Sequence, residues 1–401
     1  MSKRAYIPVF APEFGVEERE AAIKHFMEDP FITAHRHVNE FERKFAERHG
    51  RNYAVMTNSG SSAIQVAVAA MQWKPGITKV ITPAVTFATT VAPLLQLGVE
   101  PVFVDVEPGT YNIDIEKMYD TMASIPGCSG CIIPHTLGNP ADPRVWPFFR
   151  DSVEDACDAL DSMVDGELCG TFGNVAAFSF FAAHHITTGQ GGMVLANDHR
   201  IGRRVYQYAA WGRACWCRAG QDNLCKNRFD HEIDGESYDH KYIFDLPGYN
   251  VAPLDVCGVI GKVQLEKADR FRLTRARNFH VLDLALADLD DVIIRPKSLP
   301  NATPSWFGYP ITLRKGSRKE ITQAIEAKGI ATRLVFGGNI TRQPMFRGVT
   351  INAPYGLTES DNVMRNAFIV PCNHTTTEEE IAYVASVVKE EVAKGCLAKS
   401  A

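Results

Sequence analysis

Short apolar runs alternate with amphipathic stretches over roughly the first 260 residues. The runs are AVMTN at 54–58, KVITPAV at 79–85, PVFVDV at 101–106, GCIIPHT at 130–136, AAFSFF at 177–182 and GMVLAN at 192–197. Each is rich in β-branched or aromatic residues and bounded by Pro, Gly or polar positions, which predicts buried strands. Between them the spacing predicts helices over 16–27 and 61–72, and over 36–49, where Val38, Phe41 and Phe45 recur at helical intervals before Gly50. Strands alternating with helices predict an α/β fold with a mostly parallel central sheet and ligands at the strands' carboxyl ends. The rhythm breaks at 212–250, a polar, Gly- and Asp-rich stretch with no period, and helix resumes at 255–273. A loop that long is uncommon without a function. Residues 295–304 are turn-rich and lead into a smaller α/β unit. A last helix follows, opened by a Thr377/Glu380 capping box and carrying an Ile381, Val384, Ala385, Val388, Val392 stripe.

Length and composition narrow the class. A chain of 401 residues exceeds one small core, so a large domain over 1–270 and a small one over 271–401 are expected. With 45% apolar and 22% charged residues the chain is globular, neither disordered nor fibrous. The net charge of -5 lacks the basic surplus of a duplex-DNA binder. No apolar run is long enough to span a bilayer, so no membrane or nucleic-acid partner is expected. The start, MSKRAYIPVFAPEFG, is a poor signal peptide, which makes the cytoplasm the expected location. Ten cysteines in such a compartment point to metal or redox chemistry rather than disulfides.

Three motifs carry chemistry. Asn58-Ser59-Gly60-Ser61-Ser62-Ala63 joins a strand to a helix. Small residues there let the backbone approach a phosphate at a helix N-terminus, although the same turn also serves as a plain cap. Asp155 ends the strand-like 151–154, where a carboxylate either caps a helix or pairs with a protonated ring nitrogen. SFFAAHHITTGQGG at 179–192 places two histidines, His184 and His185, on a strand-to-turn segment. Such a pair serves either as polar packing or as a proton-transfer group.

In this order the motifs resemble the fold-type-I pyridoxal-phosphate enzymes, and more closely the DegT/StrS-type sugar aminotransferases. The matching segments are NSGSSA at 58–63, TPAVTFATT at 82–90, FVDVEPGTYNID at 103–114, HTLGNPAD at 135–142, VEDACDAL at 153–160, SFFAAHHITTGQGG at 179–192, PGYNVAPLDVCGVIGKVQLEK at 247–267 and ATRLVFGGNITRQPMF at 331–346. The resemblance implies an aspartate-aminotransferase-like fold with a smaller C-terminal α/β domain. Where the aminotransferases carry a lysine that holds the cofactor covalently, this chain has His184. Imidazole cannot form that link but moves protons near neutral pH. The exchange marks the family's 3-dehydratase branch, which uses pyridoxamine 5′-phosphate to remove the carbon-3 hydroxyl of a nucleotide-linked 4-keto-6-deoxy sugar. The resemblance assigns Gly60, Ser61 and Ser179 to the cofactor phosphate, Phe87 to its ring and Asp155 to its pyridinium proton. His184 becomes the base, with His185 second in rank. Asn250 reaches the cofactor of the other subunit of a homodimer with a shared active site. Gln190 stands where many relatives are expected to carry glutamate.

Within this branch, Cys157, Cys215, Cys217 and Cys225 match the 2Fe–2S ligand spacing of the iron–sulfur CDP-4-keto-6-deoxyglucose 3-dehydrases of ascarylose biosynthesis. That implies an NAD(P)H-dependent flavin or ferredoxin-type reductase as electron donor. Four free thiols or a zinc site are the other readings, although no paired Cys-x-x-Cys knuckles occur. The other six cysteines read as core thiols. A redox-neutral enzyme of the GDP-4-keto-6-deoxymannose 3-dehydratase kind, regenerating its cofactor from glutamate, is the alternative activity. A cofactor-bound sensor without turnover is the alternative outside enzymes.

Overall fold

The computed structural model describes residues 6–218, 220–224 and 226–397. Its centre is a seven-stranded sheet. In spatial order the strands are Tyr53–Thr57, Gly192–Ala196, Val175–Ser179, Asp151–Asp155, Cys128–Pro134, Lys79–Pro83 and Glu100–Val104. All are mutually parallel except Gly192–Ala196, which runs antiparallel to both neighbours. The inner strands are buried almost throughout, as expected of a sheet covered on both faces.

Each predicted strand run is found, with ends that differ by up to three residues. The helices are found as well. On Arg36–Arg48 the predicted Val38, Phe41 and Phe45 are buried, and Glu42 and Ala46 are buried with them. Gly50 takes φ 60° just past its end, the left-handed conformation that lets the chain turn away into the first strand. On one side of the sheet, Val66 and Ala67 of helix Gly60–Met71 pack in a core with Val80 of the strand Lys79–Pro83. On the other, Phe41, Phe45 and Phe178 pack with Leu265 and Phe271 of the long helix Asp255–Ala285.

That long helix passes unbroken through residue 270 and joins two cores. Its C-terminal part, with Leu282, packs in a second core under an antiparallel sheet of Ile293–Ile294, Tyr309–Leu313 and Ala367–Val370. Ile7 and Val9 from the start of the chain lie in this same core, and Ile7 bridges Ile330. Helix Glu378–Leu397 closes it. Its capping box forms as expected, with Thr377 N–H donating to Glu380 Oε2 at 2.9 Å and Glu380 N–H to Thr377 Oγ1 at 3.2 Å. The 212–250 stretch holds a short hairpin, His231–Ile233 with Glu236–Tyr238, and one turn of helix at His240–Tyr242. No described helix is long and apolar enough to cross a membrane.

Candidate active site

A cavity of about 590 Å³ opens at the carboxyl ends of the parallel strands. Ser59, Gly60 and Ser61 form one wall, at the start of helix Gly60–Met71. Ser59 caps that helix, its Oγ accepting the Ser62 N–H at 3.1 Å. The first-turn N–H groups of Gly60 and Ser61 are among those a helix leaves unpaired, and the helix dipole favours an anion beside them. Gly60 lies flat against Ser179. A Cβ on Gly60 would stand 2.5 Å from the Ser179 Cβ, so only glycine lets this strand end and helix start share one concave surface.

Asp155 forms the floor. It is 8% exposed, accepts the Thr90 hydroxyl at 2.6 Å and the Cys157 N–H at 3.2 Å, and among the described residues has no cationic side chain paired with it. Burial pushes its carboxyl above the usual range, countered by those hydrogen bonds. A protonated ring nitrogen is the group whose charge would relieve that cost. Phe87, at the start of helix Ala88–Gln96, presents a ring that is 53% exposed on the cavity wall and meets Phe336 edge-on at 6.3 Å.

His184 faces this floor from the turn after Val175–Ser179. Its Nδ1 is 3.2 Å from Asp158 Oδ1, within ion-pair reach though off the hydrogen-bond line. Its ring stacks on Phe307 at 5.1 Å. Phe307 is itself held in place. Buried Arg275, on the long helix, donates to the Trp306 and Phe307 carbonyls at 3.2 and 3.1 Å, and Phe10 stacks on the Phe307 ring at 4.2 Å. The neighbouring His185 points elsewhere. It donates from Nε2 to the Ser305 carbonyl at 2.6 Å, does not line the cavity, and burial holds its imidazole far below its ordinary pKa. A ring fixed as a neutral donor to a carbonyl is a strut between the two cores, whereas His184 is turned to the cavity.

Thus Gly60, Ser61, Phe87, Asp155, Cys157, Ser179 and His184 line one cavity, together with Gln190. Asn250 does not. It is exposed, with its backbone bridged to Ala210. Among the described residues no lysine lines the cavity. The glycine cradle, the unpaired buried carboxylate and the exposed aromatic face fit a phosphorylated pyridine cofactor held without a covalent bond.

The cysteines fit their expected cluster less completely. Burial, and with it the neighbouring Cys217, raises the Cys215 thiol. Their segment is tied to the sheet side by the Tyr206 hydroxyl, which donates to the Cys217 carbonyl at 2.8 Å. Tyr206 and Cys157 pack against the same apolar core. Cys157 nevertheless faces Asp155 and Asp158, and burial keeps its thiol protonated. Among the described residues the three cysteines do not form a single group of ligand atoms. Cys225 lies outside the described residues.

Sequence reasoning missed three lining residues. Asp158 was in plain view three positions after Asp155. Arg333 lies in the quoted 331–346 segment but had no assigned role; it is exposed on the cavity wall, with its N–H bonded to the Ile369 carbonyl at 3.1 Å. Phe307 had no local signal.

Fold and site together define an enzyme of the pyridoxal-phosphate-dependent, fold-type-I class. The sequence profile of the DegT/DnrJ/EryC1/StrS aminotransferase family matches residues 14–389, and the chain belongs to that family. It is 38% identical to dTDP-4-dehydro-2,6-dideoxy-D-glucose 3-dehydratase of Saccharopolyspora spinosa, over 90% of this chain and 82% of the relative. It is 35% identical to the lipopolysaccharide biosynthesis protein RfbH of Salmonella typhimurium, over 96% and 91%. A crystal structure of GDP-4-keto-6-deoxymannose-3-dehydratase (ColD) with bound GDP-perosamine superimposes with a TM-score of 0.85 at 26% identity, covering 95% of this chain and all of that one. The same enzyme from E. coli with bound hydrated PLP gives 0.84 at 26% identity, covering 95% and 99%.

Proposed function

We propose that this chain is a 3-dehydratase that removes the carbon-3 hydroxyl of a nucleotide-diphosphate-linked 4-keto-6-deoxyhexose in deoxysugar biosynthesis. The observation that carries the reading is His184 on the cavity wall, at the family's lysine position, with no lysine beside it among the described residues. Relatives named as 3-dehydratases over most of the chain support it.

When bound, pyridoxamine 5′-phosphate supplies an amine for the sugar's keto group and a ring that draws off electrons. The rest falls to the chain. The Gly60 and Ser61 N–H groups and the Ser179 hydroxyl hold the phosphate. Phe87 covers the ring face and Asp155 holds the ring proton. His184, oriented by Asp158 and backed by Phe307, moves the proton at the cofactor's 4′ carbon and delivers one to the departing carbon-3 hydroxyl. Arg333 is the cation best placed on the wall to meet an anionic substrate. Asn250, exposed and off this cavity, serves the other subunit of a homodimer. The division into a cofactor-binding part over 1–270 and a small C-terminal part belongs to the same reading.

We further infer a 2Fe–2S cluster on Cys157, Cys215, Cys217 and Cys225, fed by an NAD(P)H-dependent flavin or ferredoxin-type reductase. Its support is the spacing and the Cys215/Cys217 pair. Such a cluster suits a reducing, cytoplasmic setting.

Anaerobic iron and sulfide analysis with an absorbance spectrum tests this reading. About two irons and two sulfides per chain and reductase-dependent turnover are expected. A colourless protein that turns over with glutamate alone establishes the redox-neutral reading instead. That alternative is favoured by one structural neighbour, GDP-4-keto-6-deoxymannose-3-dehydratase with a trapped PLP-glutamate geminal diamine, at TM-score 0.84 and 25% identity. A spectral change on adding nucleotide keto-sugar without product indicates a sensor.

A further inference from the structure

Away from the cavity, the link between helices Val16–Glu28 and Arg36–Arg48 meets the first turn of the long helix Asp255–Ala285. Four side chains converge there. One ligand atom from each of His25, Asp29, His37 and Asp255 lies within 4.8 Å of all the others, and none of the four lines the active cavity.

Three of the groups have partners that leave ligand capacity. Asp255, fully buried, accepts the His35 and Val38 N–H groups on Oδ1 at 2.8 and 3.0 Å and the His37 N–H on Oδ2 at 3.3 Å. Asp29 accepts the Phe31 N–H on Oδ1 at 3.0 Å. Its Oδ2 stands 3.9 Å from His25 Nδ1, 4.0 Å from His37 Nε2 and 3.1 Å from Arg36 Nε. His25 is the exception. It is 4% exposed, and neither ring nitrogen has a hydrogen-bond partner among the described residues. Burying an imidazole with both nitrogens unpaired is costly, and such a group calls for a ligand.

We propose that His25, Asp29, His37 and Asp255 form a divalent cation site with two imidazole nitrogens and two carboxylate oxygens, the mixed set that suits Zn²⁺. Ligands about 2.0–2.1 Å from a tetrahedral zinc stand about 3.3 Å from one another, so the 3.9 and 4.0 Å separations close with small side-chain shifts. Arg36, whose side chain is 60% exposed, is the counter-ion that the cation replaces beside Asp29. On the outer side, His37 Nδ1 lies 2.8 Å from Lys262 Nζ and 3.6 Å from Glu40 Oε2, and Lys262 also pairs with Glu40. When Nε2 binds the cation, Nδ1 carries the proton and Glu40 accepts it, with Lys262 withdrawing to that carboxylate. This gives the carboxylate–histidine–metal arrangement of protein zinc sites. The cation ties the N-terminal helix pair to the helix that joins the two cores.

The test uses the whole, chelator-stripped protein titrated with Co²⁺ and then with competing Zn²⁺. One equivalent of Co²⁺ with visible d–d bands and no thiolate charge-transfer band is expected, which separates this site from Cys215 and Cys217. Zn²⁺ should displace it and raise Tm. Losing even an outer-shell partner costs a metal site about 10–100-fold in affinity, so His25→Gln, which removes a ligand, should weaken Co²⁺ binding about 10-fold or more and remove the Tm rise. Asp29→Asn, at a helix end, should do the same if the buried His25 variant does not fold. A wild-type spectrum showing only thiolate charge transfer overturns the site. So does unchanged Co²⁺ affinity in either folded variant.

Discussion

His184, Asp155 and Ser179 stand at or just beyond the ends of central-sheet strands, where burial, paired backbone and stacked rings hold each in place. Cys215 and Cys217 stand on the 212–250 stretch, whose regular structure among the described residues is one short hairpin and one helical turn. The first region is organised before any ligand arrives. The second has aromatic side chains turned outward, Trp216, Phe229, Tyr238, Tyr242 and Phe244 among them, and little core of its own. Proton transfer needs atoms placed to a fraction of an ångström, so its groups belong on rigid elements. A metal cluster organises its own ligands, because metal binding and local folding are one equilibrium.

The strongest test of the contrast is His184→Asn. Loss of a positioned proton-transfer group should lower kcat by about 100- to 10 000-fold while bound pyridoxamine phosphate, followed by its absorbance, is retained. Unchanged turnover would remove His184 from the chemistry. Next, Cys217→Ser should lower iron content and reductase-dependent turnover by about 10-fold or more, with cofactor binding and Tm of the main transition unaltered. A matching loss of cofactor would mean that the two regions are one unit. Asp155→Asn removes a charged partner of the ring nitrogen, worth about 1.5–3 kcal/mol, and should weaken cofactor binding roughly 10- to 100-fold in equilibrium dialysis.

Acid should reach the rigid region through its buried histidines. His49, packed among Phe45 and Phe178, donates from Nδ1 to the Phe45 carbonyl at 2.9 Å, and burial lowers its pKa from 6.5 to about 4. The unfolded chain takes up that proton first. His49 therefore contributes full stability above pH 6.5, and about 3 kcal/mol is lost as pH falls through 6.5 to 4. Urea unfolding of His49→Gln across that window should show a flatter pH dependence. The smallest effect is expected from Phe87→Ala. Its half-exposed ring gives up about 1 kcal/mol of stacking, a several-fold weaker cofactor affinity with unchanged stability.

Much of this was legible in the chain because it is local. Val38, Phe41 and Phe45 show a helix face by their spacing. Thr377 and Glu380 show a helix start, and the runs around Val80 and Ile132 show buried strands. Gly60, Phe87, Asp155, Ser179 and His184 could be named in advance because each ends or follows a strand. What the chain did not reveal depends on contacts between distant segments. Phe307 backs His184 from the second core, and Arg275 fixes Phe307 from a helix shared by both. Ile7 and Val9, at the start of the chain, pack with its C-terminal part. The helix through residue 270 has no break that periodicity could detect.

By itself, the sequence determined the α/β alternation, the glycine-serine turn between strand and helix and the cysteine spacing, because these act over a few residues; the reading of His184 as standing for a lysine came from the family resemblance. The resemblance ranked His184 above His185, and the tertiary structure supplies the physical reason why they differ: His185 is captured by the Ser305 carbonyl and His184 is left beside Asp158. The tertiary structure alone brought His25, Asp29 and His37 to Asp255. Such pairings are set by how helices and strands pack, and the orientation of a side chain at a turn follows from that packing.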